Sequence, residues 1–391
     1  MMLPKHLKDR CLTVRRMLLL SLLLHSVVTT NGWVQSTLPT KISSSKFSLA
    51  SEAADNNDVL GGVTNFEQWF GKLEKSSCLS SISHAAFGSL RGLTCSEIIN
   101  EENKNILTVP GDIILSSSYA NENWDVELAK KLWTECMKGS QSSLSGYCSL
   151  LSRGEKMLSN SVPPSAAPNA LRHWTQEELD GLALSPNGKK LVKIKEKQEK
   201  LWRRKYQSLS KDSSSNPMSW EQFEWCLEVI HSRAFRGNYG LSSLRTILSV
   251  AAPLTSLIAG WLHIRGNPDY SDFVLLALGA LAASPLIVDS VSPDKGEVVL
   301  LPMIDSANHL QEADSNIQYD PLAGVFSLAI GPNCLVQEKE GEKPELYVSY
   351  GPKTDNDLLL NYGFLPGVKC ENESDEVQRE IMAIEFLKRS I

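Results

Sequence analysis

The sequence predicts an α+β protein, and three observations carry that prediction. Two short β-rich runs, Glu297 to Met303 and Leu346 to Ser349, each give way to polar and aromatic residues, the second at the turn signal Tyr350-Gly351-Pro352. A helical stretch, Trp220 to Phe235 (WEQFEWCLEVIHSRAF), precedes the first run. After the second, Thr354 has the spacing of an N-cap with Asp357 three residues on, opening a short helix through Leu358, Leu359 and Leu360 to Tyr362-Gly363. A chain of 391 residues with 42% hydrophobic content holds a sizeable core plus additions.

The polar residues at these element ends form two clusters. One reads LPMIDSANH (Leu301 to His309) and the other YVSYGPKTDNDLLLNYGF (Tyr347 to Phe364), about forty residues further along. An isolated strand tyrosine is ordinarily half-buried packing, and an isolated Asn-His pair is ordinarily a turn. Functional groups gathered at the ends of elements on a rigid frame point instead to a site.

At these residues the chain resembles the SET-domain methyltransferases. The group it is most similar to contains the plastid Rubisco large-subunit lysine methyltransferases and their histone, actin and non-histone relatives. In that family an Asp-x-x-Asn-His segment and a Tyr-Gly-x-Lys-[Ser/Thr]-x-x-x-Leu-Leu-x-x-Tyr-Gly-Phe segment pass one through the other as a pseudoknot, a rare threading. The resemblance implies a SET fold of small β-sheets with an inserted helical subdomain (about 120–235), spanning roughly 65–364. Ser232 to Phe235 (Ser-Arg-Ala-Phe) matches the segment that the family carries before its Asp-Asn-His strand. Ala86 to Pro110 looks like the opening hairpin, with Gly92-Leu93 in its cofactor-binding turn and Ile106 to Pro110 as the returning strand. Trp124 to Lys138 and Trp174 to Leu182 match helices of the insert. Two positions depart from the pattern. Ser89-Leu90-Arg91-Gly92 replaces a Gly-[Leu/Arg]-Gly-Leu turn, and Asp355 stands where relatives often have Asn.

The resemblance implies an S-adenosylmethionine-dependent protein-lysine N-methyltransferase. Methyl transfer from a sulfonium to an amine is an in-line displacement, so alignment is the main requirement. By resemblance Asn308 and His309 hold the cofactor, and the backbone around Arg91, Gly92 and Leu93 meets its other end. Tyr350 is the expected catalytic residue, accepting weak C–H···O contacts beside the transferring methyl. Tyr362 and Tyr319 are expected to line the lysine channel, where aromatic faces favour a methylammonium. Arg233 and Asp305 are expected to shape the substrate side. The lysine must lose its proton, which a desolvated channel beside a positive charge favours without a dedicated protein base.

Composition narrows the class further. A net charge of −6 argues against a nucleic-acid binder by electrostatics. One segment, Lys189 to Lys211, is locally basic, with Leu191, Ile194, Leu201 and Trp202 at helical spacing. It reads either as a solvated helix of the insert or as a docking surface for an acidic partner. The eight cysteines include no C-x-x-C or C-x-C pair, which argues against the zinc-binding flanks of many histone-directed SET proteins, and no metal is expected.

The ends and one insertion carry the localisation signals. Lys5 to Arg16 is mostly basic, Met17 to Val28 is apolar, and Thr30-Asn31-Gly32 offers small residues for cleavage, so 1–32 reads as a signal peptide. The stretch 33–51 is rich in Ser and Thr, and no acid occurs between Asp9 and Glu52, as in a transit peptide. Together they resemble the two-part presequence of a plastid reached through the secretory pathway, with endomembrane residence or a retained anchor as the alternatives. An insertion at about 240–292 holds two apolar runs, Thr246 to Ile264 and Phe273 to Val288. These read as an extra helical hairpin that either meets a membrane or covers the catalytic domain. After the last motif only 365–391 remain, a short helical tail where relatives continue into a helical substrate-binding domain. Two other functions compete with lysine methylation: methylation of another nucleophile such as histidine, and a degenerate SET fold acting as a membrane-tethered binding module.

Overall fold

The structure, a computed structural model, describes residues 60–87, 90–97, 99, 103–157, 161–212, 218–237, 239, 296–337, 343–368 and 373–389. The signal and transit segments, Ser89 and both apolar runs lie outside these residues. Among the described residues no helix is long and apolar enough to cross a membrane.

The chain opens with α1 (Val63–Phe70), whose Val63, Phe66 and Phe70 recur at helical spacing and are buried. Strands β1 (Ser77–Cys78), β2 (Ile82–Phe87), β3 (Leu90–Cys95), β4 (Lys104–Pro110) and β5 (Leu115–Ser118) follow. A helical section comes next: α2 (Trp124–Met137), α3 (Ser145–Leu151), α4 (Gln176–Leu182), α5 (Pro186–Asp212) and α6 (Trp220–Arg233). The second β-rich part contains β6 (Phe235–Gly237), β7 (Glu297–Leu300), β8 (Asn308–His309), β9 (Ser315–Asp320), β10 (Val325–Ile330), β11 (Leu335–Val336) and β12 (Glu345–Val348). Two helices, α7 (Asp355–Asn361) and α8 (Asp375–Arg389), close the order.

The strands form three small sheets, as an α+β fold of this kind requires. One has the order β1-β4-β10-β9, another β5-β7-β6, and the third β11-β12-β3-β2 with β8 attached to β12. The pairing of β12 is the unusual part. Its Glu345 and Leu346 pair antiparallel with Thr94 and Leu93 of β3. Its next two residues, Tyr347 and Val348, pair in parallel with Asn308 and His309. A two-residue parallel rung is too short to hold itself. It is held by the fully buried side chains of Leu346 and Val348 in the main core.

Capping residues place several of the helix starts. Thr175 with Glu178, Ser219 with Gln222 and Thr354 with Asp357 each form a reciprocal capping box at α4, α6 and α7, so the start read from Thr354 is where α7 begins. The main core joins α1, α2, α3 and α6 to all three sheets. A second cluster is built by Leu171, Trp174, Leu191, Leu359, Leu365, Met382 and Phe386. Its members include residues of α8, so the short tail is a docked element of the core.

Three expectations change. Gly92 and Leu93 lie within β3, paired with Ala85 and His84 of β2, and not in the turn. The strand containing Ile106 to Pro110 does not return along that hairpin; it pairs with β1 and β10 in another sheet. On α5, Leu191 and Trp202 are buried but Leu201 is 48% exposed, because it lies about 100° around the helix from Trp202.

Gly363 ends α7 at φ 77°, its N–H bonded to the Leu358 carbonyl, which is the left-handed helix end that glycine favours. A Cβ there would lie 2.3 Å from the Asn169 carbonyl carbon and 2.4 Å from the Ala170 nitrogen. Gly363→Ala is therefore expected to cost about 2–4 kcal/mol from strain and overlap, read as a lowered urea midpoint. An unchanged midpoint would mean that the 169–170 backbone yields freely.

Candidate active site

The parallel rung sets the site. With Asn308 opposite Tyr347 and His309 opposite Val348, the turn after β12 returns over β8, and Gly351 at φ 81° lets it do so. The Tyr350 N–H donates to His309 Nδ1 at 3.1 Å. Nδ1 also lies 3.4 Å from the Val348 carbonyl, but the shorter contact comes from a backbone N–H that can only donate, which favours a neutral imidazole with its lone pair on Nδ1 and its proton on Nε2. Burial acts in the same direction, lowering the His309 pKa from 6.5. The His309 and Tyr350 rings stack with centroids 4.9 Å apart.

Tyr350 is gripped from several sides. Tyr362 stacks on it at 5.3 Å and Phe235 meets it edge-on at 5.7 Å. Its hydroxyl donates to the Ala307 carbonyl at 2.7 Å. The one hydroxyl proton is thereby committed, and the oxygen retains lone pairs to accept weak contacts. Burial raises the pKa values of Tyr350 and Tyr362 well above the ordinary tyrosine range, so both stay neutral. Tyr350 is therefore a poor general base at neutral pH.

Beside this aromatic group lie two partly buried polar networks. Asn308 Nδ2 donates to Glu345 Oε1 at 2.6 Å, and the Tyr347 hydroxyl donates to Glu345 Oε2 at 2.6 Å. Gly92 lets this pair approach β3: a Cβ there would lie 2.9 Å from both Asn308 Nδ2 and Glu345 Oε1. In the other network, the Tyr147 hydroxyl donates to Asp305 Oδ2 at 2.5 Å and Arg233 Nη1 donates to the Asp305 carbonyl at 3.0 Å. Arg91 Nη1 donates to the Leu150 carbonyl at 3.1 Å. Burial pushes the Asp305 carboxyl up and the Arg91 guanidinium down, while Arg233 and Asp305 partly offset each other.

These groups border a cavity of about 470 Å³, within the usual range for a small-molecule site. Seven of the ten residues expected from the sequence line it: Arg91, Arg233, Asp305, Asn308, His309, Tyr350 and Tyr362. Gly92 and Leu93 stand behind it on β3, with Leu93 fully buried. Tyr319 is elsewhere. It packs on Phe326 at 4.8 Å, within reach of Gly111, because β9 and β10 belong to a different sheet from β12. Arg233 and Asp305, expected on the substrate side, share one corner with Arg91.

Some members of the site were not singled out in the sequence. Glu345 and Tyr347 fall on one side of β12 by strand alternation, a signal that was present. Nothing local marks Tyr147, which reaches Asp305 across 158 residues. The segment Ser165 to Asn169 and the α8 residues Gln378 and Met382 also line the cavity. Several polar atoms in its lining residues are buried without a partner among the described residues: Asn169 Oδ1, Arg233 Nε, Asp305 Oδ1, Ser306 Oγ and His309 Nε2.

No protein-family model matches the sequence, and no curated protein matches it. Solved structures do. The SET domain of LSMT bound to lysine and AdoHcy is 16% identical, with a TM-score of 0.48. Rubisco LSMT bound to AdoMet is 17% identical at 0.46, and Rubisco LSMT bound to sinefungin and monomethyllysine is 18% identical at 0.45. Each comparison covers 78% of this chain. The chain resembles SET-domain structures of the Rubisco LSMT type. It spans a little over half of those chains, 56–57% of their length.

Neutral His309 carries a pH dependence. The unfolded chain protonates this histidine below about 6.5, while the folded chain resists until the lower folded pKa. Stability is therefore expected to fall as pH drops from about 6.5 toward that lower value. His84 and His231, also lowered by burial, add in the same sense. In His309→Gln the slope of unfolding free energy against pH over this window should be shallower than in the wild type. Equal slopes would show that His309 titrates normally in the fold.

Proposed function

We propose that the chain is an S-adenosylmethionine-dependent protein-lysine N-methyltransferase. The observation that carries this is the placement of the Tyr350 hydroxyl: aimed at the Ala307 carbonyl and locked between His309, Tyr362 and Phe235 at the wall of a polar-ended cavity. That is a positioned neutral oxygen with its acceptor side spare. Such an oxygen suits a reaction limited by alignment and not by proton abstraction.

The cavity residues fit the cofactor. Its volume accommodates a nucleoside-sized ligand. The guanidinium groups of Arg91 and Arg233 give one corner the charge to hold a carboxylate. Phe364, Leu365 and Met382 supply apolar wall for a heteroaromatic ring, and the unpartnered Ser306 Oγ and His309 Nε2 leave polar capacity close to it. Asn308 would hold the amino-acid end, fixed by Glu345. When bound, the cofactor supplies an electrophilic methyl group on a sulfonium.

The remaining work falls to the chain. Tyr350 orients by accepting weak C–H···O contacts, while its raised pKa keeps it a hydroxyl. Tyr350 and Tyr362 present stacked aromatic faces that desolvate an incoming amine and favour a methylammonium. Desolvation lowers the pKa of a lysine amine, so loss of its proton needs no protein base. The reading includes residence in a plastid, which rests on the composition of the first 51 residues. The acceptor is a lysine side chain of a protein.

Calorimetry with S-adenosylmethionine tests the cofactor half: micromolar binding is expected in the wild type, weakened at least about tenfold in Asn308→Ala. A folded wild type that takes up no heat would sink the enzyme reading. For catalysis, Tyr350→Phe should bind the cofactor within about threefold of wild type. Its transfer of labelled methyl to lysine residues of a plastid protein extract should fall about 100-fold or more. Transfer at the wild-type rate would remove Tyr350 from the mechanism.

A further inference from the structure

Helix α5 presents a charged surface that catalysis does not use. Its side chains Lys189, Lys190, Lys193, Lys197, Lys200 and Arg204 are all exposed. None of the six side chains has a hydrogen bond or ion pair among the described residues. Other cations of the helix are engaged: Lys195 pairs with Glu199 at 3.0 Å, Lys205 with Asp125 at 2.7 Å, and Arg203 lies over the Trp220 ring at 4.3 Å. At 100° per residue the six unpaired cations fall within an arc of about 100°. They run for roughly 22 Å along the axis. The buried residues Leu191, Trp202 and Leu209 lie on the opposite side, which fixes the cationic arc outward. Glu196, the one exposed acid among the helix's described side chains, falls just outside the arc, and the 48%-exposed Leu201 borders it.

We propose that this stripe docks the chain on an anionic lipid surface. The net charge of −6 makes the stripe a local feature and not a consequence of composition. Its shape selects the partner. A helix face is convex, and the cavity among the described residues that takes a small molecule lies elsewhere. Acidic peptide motifs are typically held by arginine clusters, and a nucleic acid is held best by bidentate arginines and stacking aromatics. Five of the six cations are lysines, hydrated point charges on flexible stems, which suit a plane of diffuse negative charge. Clusters of four to eight Lys or Arg residues on a helix bind anionic headgroups at about fivefold in affinity per cation. The bordering Leu201 adds a small apolar contact at the headgroup level. On its inner side α5 reaches α7, where Gln198 Nε2 donates to Asn361 Oδ1 at 3.0 Å. Docking would therefore hold the helix that follows the Tyr350 turn at a fixed height above the lipid.

The test is co-sedimentation of the full chain with phosphatidylcholine vesicles, with and without about one third phosphatidylglycerol. Wild type should prefer the anionic vesicles, and the preference should vanish between 0.1 and 0.5 M salt, over which screening strengthens about twofold in length. The combined variant Lys193→Gln, Lys197→Gln, Lys200→Gln and Arg204→Gln should partition about 600-fold more weakly. A control of equal charge change at exposed sites, Lys72→Gln, Lys130→Gln, Lys343→Gln and Lys388→Gln, should stay within about threefold of wild type. The proposal is overturned if wild type binds neutral and anionic vesicles alike, or if the stripe variant matches the control. It is also overturned if polyglutamate or duplex DNA at equal charge strips the wild type from the vesicles, since the partner would then be a soluble polyanion.

Discussion

The two-residue parallel rung between β8 and β12 is the constraint on which the rest of the site depends. Antiparallel neighbours can be joined by a tight turn, but parallel ones need a long connection. Here the connection holds β9 and β10, which pair with each other, β10 also with β4, and then β11, which pairs antiparallel with β12 itself. β12 changes partner in the middle, from Leu93 of β3 at Leu346 to Asn308 at Tyr347. That change joins two otherwise separate chain segments. It sets the His309 ring beneath the Tyr350 amide and the Asn308 amide beside Glu345. A slip of one residue would turn Asn308 away from the cavity and bury it against the core. The fully buried Leu346 and Val348 oppose that slip.

Much of the frame was legible because local chemistry marks it. Thr354 and Asp357 announce a helix start through a mechanism that acts within four residues, and the capping box forms there. Glu297 to Leu300 becomes a strand because four consecutive buried residues suit an inner position between β5 and β6. The cavity residues Asn308, His309, Tyr350 and Tyr362 were legible for a different reason: they fall in two recognisable segments. Sheet partners were not legible. Nothing within Ile106 to Pro110 says that it pairs with β10 and not with β3, and this is why the hairpin reading failed. The same gap displaced Tyr319, expected in the lysine channel, which lies on β9 in a sheet that does not border the cavity.

Charge at the back of the cavity follows a second logic. Arg91, Arg233, Asp305 and Tyr147 are brought together from four elements and buried, where an unpaired charge costs most. Tyr147 donates to the carboxyl group and Arg233 to the Asp305 main chain, while burial raises the Asp305 pKa against the lowering pull of Arg233, Tyr147 and Arg91. Met303, just before, adopts φ 74° while almost fully buried, an uncommon conformation for a side-chain-bearing residue. Strain of this kind persists only where surrounding packing over-determines it. Leu300, Leu301 and Ile304 supply that packing, each fully buried on either side of Met303.

The C-terminal helix forms part of the cavity wall. Read from sequence, residues 365–391 were a short helical tail. In the fold α8 closes the second hydrophobic cluster through Met382 and Phe386. It also ties down the cavity rim, because Asn169 Nδ2 donates to Gln378 Oε1 at 2.8 Å and Gln378 Nε2 donates to the Glu373 carbonyl at 2.8 Å. That order of donors fixes the Asn169 amide, and with it the segment against which Gly363 packs. Gly363 in turn sits between Tyr362 and Phe364, both in the cavity wall. The tail thus acts on the site through packing and amide orientation, at a distance from the methyl-transfer chemistry proposed for Tyr350.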